Sequence, residues 1–311
     1  MTRRNYGQGR RLGYAGARAL VEHYGAHDQY ATRRAHGARF RLFAAWLRAE
    51  YGIRDARRIE RRHVEAYGVY LSRLVEAGQM AVAYAQNRLS TVNRVLGCLR
   101  GDRKLHISPA ACVGRRCQVR TVRPAADPAQ VEAAVERLKR AGHARAACLV
   151  LLCRAFGMRL REAALADLDR LVGEAERTGK VRILEGTKGG RHSDDRVIEV
   201  GERQWAALRT ALQHRPSGSR NLLRPTETWR VFLHTIVAPA RGLLSGCGIV
   251  SFRELRAAFA VELYERESGQ PAPFEGPPLD AEADERARWA VARQLGHGRV
   301  VIASAYIGGR R

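Results

Sequence analysis

Between residues 32 and 100 apolar side chains recur at spacings of three and four, the period of a helix with one buried face. Residues 32–51 carry Ala35, Ala38, Leu42, Phe43, Trp46 and Leu47 on one side, with Arg33, Arg34, Arg41 and Arg48 mostly away from it. Helices are also predicted over residues 61–76 and 80–100, the latter with Val82, Ala85, Leu89, Val92, Leu96 and Leu99 in register. Short links such as Glu76-Ala77-Gly78-Gln79 suit antiparallel neighbours. The pattern predicts a bundle of about four helices with arginines, including Arg88 and Arg94, on its solvent faces.

Past residue 125 the pattern is mixed. Helices are predicted over residues 128–141 and 144–156, the second nearly all apolar and therefore buried. Residues 181–185 and 196–200 read as short strands around the polar loop Gly186-Thr187-Lys188-Gly189-Gly190-Arg191. Helical spacing returns over 204–214, 227–237, 254–267 and 285–295. Residues 268–279, with four prolines and two glycines, read as an exposed loop. The expected fold class is mainly α with a small β-sheet or hairpin (α+β).

Composition sharpens the division. Residues 1–125 have a net charge of +17 and residues 126–311 a net charge of +7. Val122-Arg123-Pro124-Ala125-Ala126-Asp127-Pro128 lies between, and its Asp-Pro pair reads as a linker followed by a helix start. The expected domains are therefore 1–125, helical, and 126–311, mixed. At 311 residues and 45% hydrophobic, the chain is long enough for two cored domains.

An excess of +24 repels itself and calls for a polyanionic partner. Of the 55 cations 51 are Arg, whose planar fork suits phosphate, although a biased base composition of the gene explains the skew equally well. The N-terminus lacks an apolar stretch behind its basic residues and no run of 18 apolar residues occurs. Neither a secretory signal nor a membrane span is expected, which points to a cytoplasmic protein. The six cysteines fit a reduced compartment. Cys112-x4-Cys117 near His106 lacks a fourth zinc ligand and reads as a structural thiol pair. No phosphate-binding loop of an ATPase occurs, and no cofactor or metal is expected.

Five features of the second half bear on chemistry. The apolar helix ends at Phe156-Gly157-Met158-Arg159-Leu160-Arg161-Glu162. One of only four lysines, Lys188, stands in the hairpin loop. Arg253 and Arg256 open a helix three residues apart, on one face. Leu295-Gly296-His297 follows another helix, and Tyr306 lies nine residues beyond His297. Singly, these are ordinary: a helix cap, a turn, a solvated face, a packed tyrosine. Their joint occurrence in this order is not.

At these residues the chain resembles the tyrosine recombinase (phage integrase) family, and its ending resembles integrases of mobile elements. The resemblance covers residues 128–311; the helical half resembles the family's core-binding (SAM-like) domain by architecture only. It implies a DNA strand-exchange enzyme in which Tyr306 attacks a phosphodiester and forms a 3′-phosphotyrosine. Arg159, Arg256 and Arg253 would hold the phosphate, with His297 hydrogen-bonded to it. Lys188 would protonate the leaving 5′ oxygen, and Glu162 would orient Arg159. It further implies double-stranded DNA as partner, dimers assembling to a tetramer on it, and a nucleoid location. Accessory DNA-bending or directionality proteins are left open. Arg33, Arg34, Arg41, Arg48, Arg88, Arg94 and Arg191 are the expected DNA-binding residues.

Two departures stand out. Arg253 occupies the family's usual His position and cannot exchange a proton near neutrality. Ala257 stands where many members have a second His. A DNA-binding module that no longer cuts, and a type IB topoisomerase, are the alternative readings.

Overall fold

The computed structural model describes residues 3–187 and 196–309. The chain forms two compact units, Met1–Cys117 and Gln118–Arg311. The division falls before the composition shift at 125 because Arg120 and Arg123 already belong to the second unit. Arg120 pairs with Glu254, and Arg123 with Glu265 at 2.6 Å and Glu275 at 2.8 Å.

The first unit is built from α1 (Leu12–Tyr24), α2 (Tyr30–Tyr51), α3 (Arg61–Glu76) and α4 (Val82–Arg100), followed by a single turn, α5 (Pro109–Val113). Its core joins Leu20, Phe40, Phe43, Leu47, Tyr67, Leu89 and Val92. Helix α1, which apolar spacing alone does not single out, is rich in small residues and uses them for close approach. A Cβ at Gly16 would overlap the ring of Phe40. That approach turns the buried face of α2 part of the way: Phe43 and Leu47 are buried as expected, together with Gly37 and Phe40, whereas Ala38 and Leu42 are exposed.

The second unit opens with α6 (Pro128–Arg140), N-capped by Asp127 in a reciprocal box with Gln130. Helix α7 (Ala144–Phe156) is buried over most of its length, as its apolar composition requires. After the corner at Gly157 come α8 (Leu160–Leu165) and α9 (Leu168–Thr178). Strand β1 (Lys180–Arg182) pairs antiparallel with β2 (Val197–Glu199), Val181 opposite Ile198. Both strands are shorter than expected, three residues each.

Helix α10 (Glu202–Gln213) packs on α7. The helix expected over 227–237 is a short α11 (Trp229–Phe232) that passes through a π turn, Leu233–Val237, into α12 (Ala238–Ser245). Then follow α13 (Phe252–Ser268), α14 (Ala281–Gln294) and the single turn α15 (Ser304–Ile307). The proline-rich segment 268–279 is not wholly exposed. Ala272 and Pro273 are buried, and Pro273 and Phe274 pack against Gly309 and Gly308. No helix among the described residues is long and apolar enough to cross a membrane.

Replacing Gly16 by Val is expected to lower the stability of the first unit by about 1–3 kcal/mol, the usual cost of overpacking, in a urea titration.

Candidate active site

Four elements of the second unit bring their ends together. The corner between α7 and α8 is made by Gly157 at φ +58, where a Cβ would overlap the Phe259 ring. This turn exposes Arg159 at the mouth of α8. The backbone N–H of Arg159 donates to Glu162 Oε2 at 2.6 Å and its Nη1 to Oε1 at 2.5 Å. Helix α13 contributes Arg253 and Arg256 from its first two turns. Helix α14 ends in a left-handed Gly296, with His297 N–H donating to Ala292 O at 2.8 Å. That is a Schellman cap, and it explains why Leu-Gly-His follows a helix. Finally, α15 carries Tyr306. It is tied down by Arg288, which donates to Ser304 Oγ at 3.1 Å and Gly308 O at 3.2 Å.

Arg256 is 3% exposed and joins these elements. It donates to Gly157 O, to Leu295 O at 2.6 Å, and through Nε to the Tyr306 hydroxyl at 3.3 Å. Arg159 Nη2 reaches the same Leu295 O at 3.4 Å. His297 Nε2 lies 3.4 Å from both Arg256 Nη2 and the Tyr306 hydroxyl. A guanidinium can only donate, so Nε2 is the unprotonated ring nitrogen and the Tyr306 hydroxyl donates to it. The Tyr306 ring is flanked by the guanidinium carbons of Arg253 and Arg256, 5.7 and 5.6 Å from its centre. Arg253 is exposed at the rim. Ala257 is fully buried in the core.

The charges are strongly coupled. Burial works to raise the Glu162 carboxyl, but the hydrogen bond and charge of Arg196, with Arg159 and Arg256, hold it at about 2. Burial, and then the cations Arg256, Arg159 and Arg196, push His297 down to about 4. Burial also brings Arg256 down to about 10, opposed by Tyr306. At neutral pH the site thus holds an ionised Glu162, a neutral His297 and three arginines with hydrogen-bonding capacity towards an anion.

Among the residues expected from sequence, Arg159, Glu162, Arg253, Arg256, His297 and Tyr306 converge here. Lys188 and Arg191 lie outside the described residues. Arg196, fully buried against Glu162, is not anticipated by the motifs. An isolated Arg before a strand in an arginine-rich chain carries no signal.

In the first unit Arg34, Arg41 and Arg48 are exposed on α2 and line, with Arg10, Arg11 and Arg54, a groove of about 1000 Å³ against α1. No carboxylate occurs among the described lining residues. Arg33 is half-buried and donates to Ala26 O at 2.7 Å and Asp28 O at 2.8 Å, closing the turn before α2. Arg94 is exposed beside His23. Arg88 corrects the expectation. It is buried, its Nε 2.9 Å from the Tyr67 hydroxyl and its guanidinium over the Tyr67 ring, so it serves the core and faces no ligand. Cys112 packs on Gly68 and Cys117 is exposed; both thiols are free and form no pair.

Acid should weaken the second unit in two stages. His297 takes up a proton near 6.5 when unfolded but only near 4 when folded, so stability falls as pH drops between them. Glu162 adds a second loss between about 4.5 and 2. Melting curves from pH 7 to 2 are expected to show both, and His297→Gln to remove only the upper stage.

Comparison with known proteins agrees with this geometry. Residues 114–262 match the protein family described as Integrase, a span that contains Arg159, Glu162, Lys188, Arg253 and Arg256. Among solved structures, the Tn1549 transposon integrase in complex with circular intermediate DNA is similar, with a TM-score of 0.58. It is 12% identical, over 97% of this chain and 96% of that one. XerA recombinase is similar at a TM-score of 0.39 and 15% identity, over 95% and 93% of the two chains. A search of curated proteins finds no sequence match. The family match, over just under half of the chain, and the fold shared with the transposon integrase make this chain similar to the integrase family, and a tyrosine, a histidine and three arginines lie together in its second unit.

Proposed function

We propose that the protein is a site-specific DNA recombinase that cuts and rejoins duplex DNA through a 3′-phosphotyrosine at Tyr306. The observation that carries this reading is the Tyr306 hydroxyl held between the Arg256 Nε donor and the unprotonated His297 Nε2. Arg256 is anchored by two carbonyls, and its bonds to Tyr306 and His297 are the ones a phosphate oxygen can take over. Arg159 and the exposed Arg253 complete the cationic wall.

In the proposed reaction Tyr306 Oη attacks phosphorus in line and its proton passes to His297, since the Arg253 guanidinium has no lone pair with which to accept it. The P–O5′ bond breaks, and Lys188 supplies the proton that makes the departing oxygen a hydroxyl. The phosphotyrosine keeps the bond energy, so a 5′-hydroxyl from a second strand reverses the step. The cations are side chains, and the chemistry calls for neither metal nor ATP.

The first unit is proposed as the core-binding domain, its arginine groove on α1 and α2 holding DNA phosphates. Dimers on an inverted repeat and a tetramer for exchange follow from the family, as does work in the cytoplasm at the nucleoid. The non-cutting module and the topoisomerase are not favoured, because the matched family is that of integrases.

Incubating the protein with nicked duplexes tiled from the DNA flanking its gene is expected to give a denaturant-stable adduct on one tile. Tyr306→Phe should abolish it, and Arg159→Ala should slow it about 10²–10³-fold with little loss of affinity. Tight binding without any adduct would return the non-cutting module. Replacing Arg34, Arg41 and Arg48 together by Ala is expected to flatten the log–log salt dependence of DNA binding by about 3, at ~0.9 per phosphate.

A further inference from the structure

Arg196 stands one residue before β2 and is about as buried as any side chain in the protein, at 1% exposure. Its fork meets Glu162 with both arms, Nη1 to Oε1 at 2.8 Å and Nη2 to Oε2 at 2.9 Å. The remaining Nε donates to Gln294 O at 3.0 Å, in the last turn of α14. Its stem runs beneath the Leu-Gly-His turn, so that a Cβ on Gly296 would lie 3.1 Å from Arg196 Cδ. One side chain therefore fastens the carboxylate that holds Arg159, the turn that presents His297, and the entry to β2. It makes no contact with Tyr306.

We infer that Arg196 is a positioning residue, which sets the spacing of Arg159, His297 and the Leu295 carbonyl and so preorganises the oxyanion site. The inference rests on the proposed function and extends it to a residue outside the motifs that carry the family resemblance. The geometry demands a guanidinium. Three donors in one plane answer two carboxylate oxygens and a backbone carbonyl, and a Lys ammonium on a thinner stem cannot span all three. The carboxylate needs this partner as well. Arg159 is 28% exposed and must remain available to a ligand, and Arg256 Nη1 is 3.7 Å from Glu162. Without Arg196 the buried charge of Glu162 would be answered mainly by Arg159, drawing that guanidinium inward, away from the anion it is placed to meet. A merely structural ion pair would stabilise the fold and nothing more. This one also spans two of the segments that bear site residues.

Two variants test it, Arg196→Lys, which keeps the charge, and Arg196→Met, which keeps the bulk. On the tile that wild type cuts, both are expected to cleave about 100-fold more slowly in a single turnover, with DNA affinity unchanged. The second readout needs no activity: the His297 ring titration by NMR, assigned with His297→Gln. The charged groups around that ring are Arg256, Arg159, Arg196 and Glu162, with the Tyr306 hydroxyl against it. In Arg196→Lys the charge is retained, so a midpoint rising from about 4 toward 6.5 reports a loosened turn. Wild-type cleavage together with a wild-type titration in both variants overturns the inference. So does a loss of cleavage that only tracks a loss of folded protein, with the His297 midpoint unmoved in Arg196→Lys. If wild type cuts no tile, the recombinase reading fails, and the titration decides the role of Arg196 by itself.

Discussion

Everything in the candidate site leans on one buried carboxylate. Glu162 is inaccessible to solvent, and a lone ionised carboxylate there would cost several kcal/mol or would neutralise itself. It stays ionised because Arg196 and Arg159 hydrogen-bond to it and Arg256 stands nearby. In return it fixes where those cations sit, and the Leu295 carbonyl bonded by Arg159 and Arg256 carries the constraint to the turn that bears His297. The side chains of the site are thus held in place by one another, an arrangement suited to electrostatic stabilisation of a developing charge.

The arginines fall into two kinds that composition cannot separate. Arg196, Arg256, Arg154 and Arg288 are buried and spend their donors on carboxylates and carbonyls. Arg34, Arg41, Arg48 and Arg253 are exposed and keep theirs. A surplus of cations on the surface of both units gives long-range attraction to a polyanion, whereas the buried ones build the geometry that acts on it. In the proposed reaction Arg253 cannot take up a proton, which leaves proton acceptance to His297, whose neutral state at pH 7 follows from burial among cations.

Much of the site is legible in the amino-acid sequence. The motif residues Arg159, Glu162, Arg256, His297 and Tyr306 announce themselves by order and by local context: a glycine corner, a helix start, a capped helix end. The helices over 61–76, 128–141 and 144–156 follow directly from apolar spacing and from Asp127-Pro128. What the sequence hides shares one cause, which is that tertiary packing decides among locally equivalent choices. The face of α2 is set by Gly16 meeting Phe40, not by its own periodicity. Arg88 reads like any other surface arginine, and only the Tyr67 hydroxyl claims it for the core. Arg196 gains its role where a strand entry, a helix corner and a helix end meet in space.

The central claim, that Tyr306 is the nucleophile, can be read from a single mass spectrum. Digesting the trapped adduct with nuclease and trypsin should leave a nucleotide on the peptide from Val300 to Arg310, in which Tyr306 is the one tyrosine. Fragment ions that carry the added nucleotide mass on Tyr306 are the predicted result. The same mass on Ser304, or on a tyrosine in any other peptide, would contradict it.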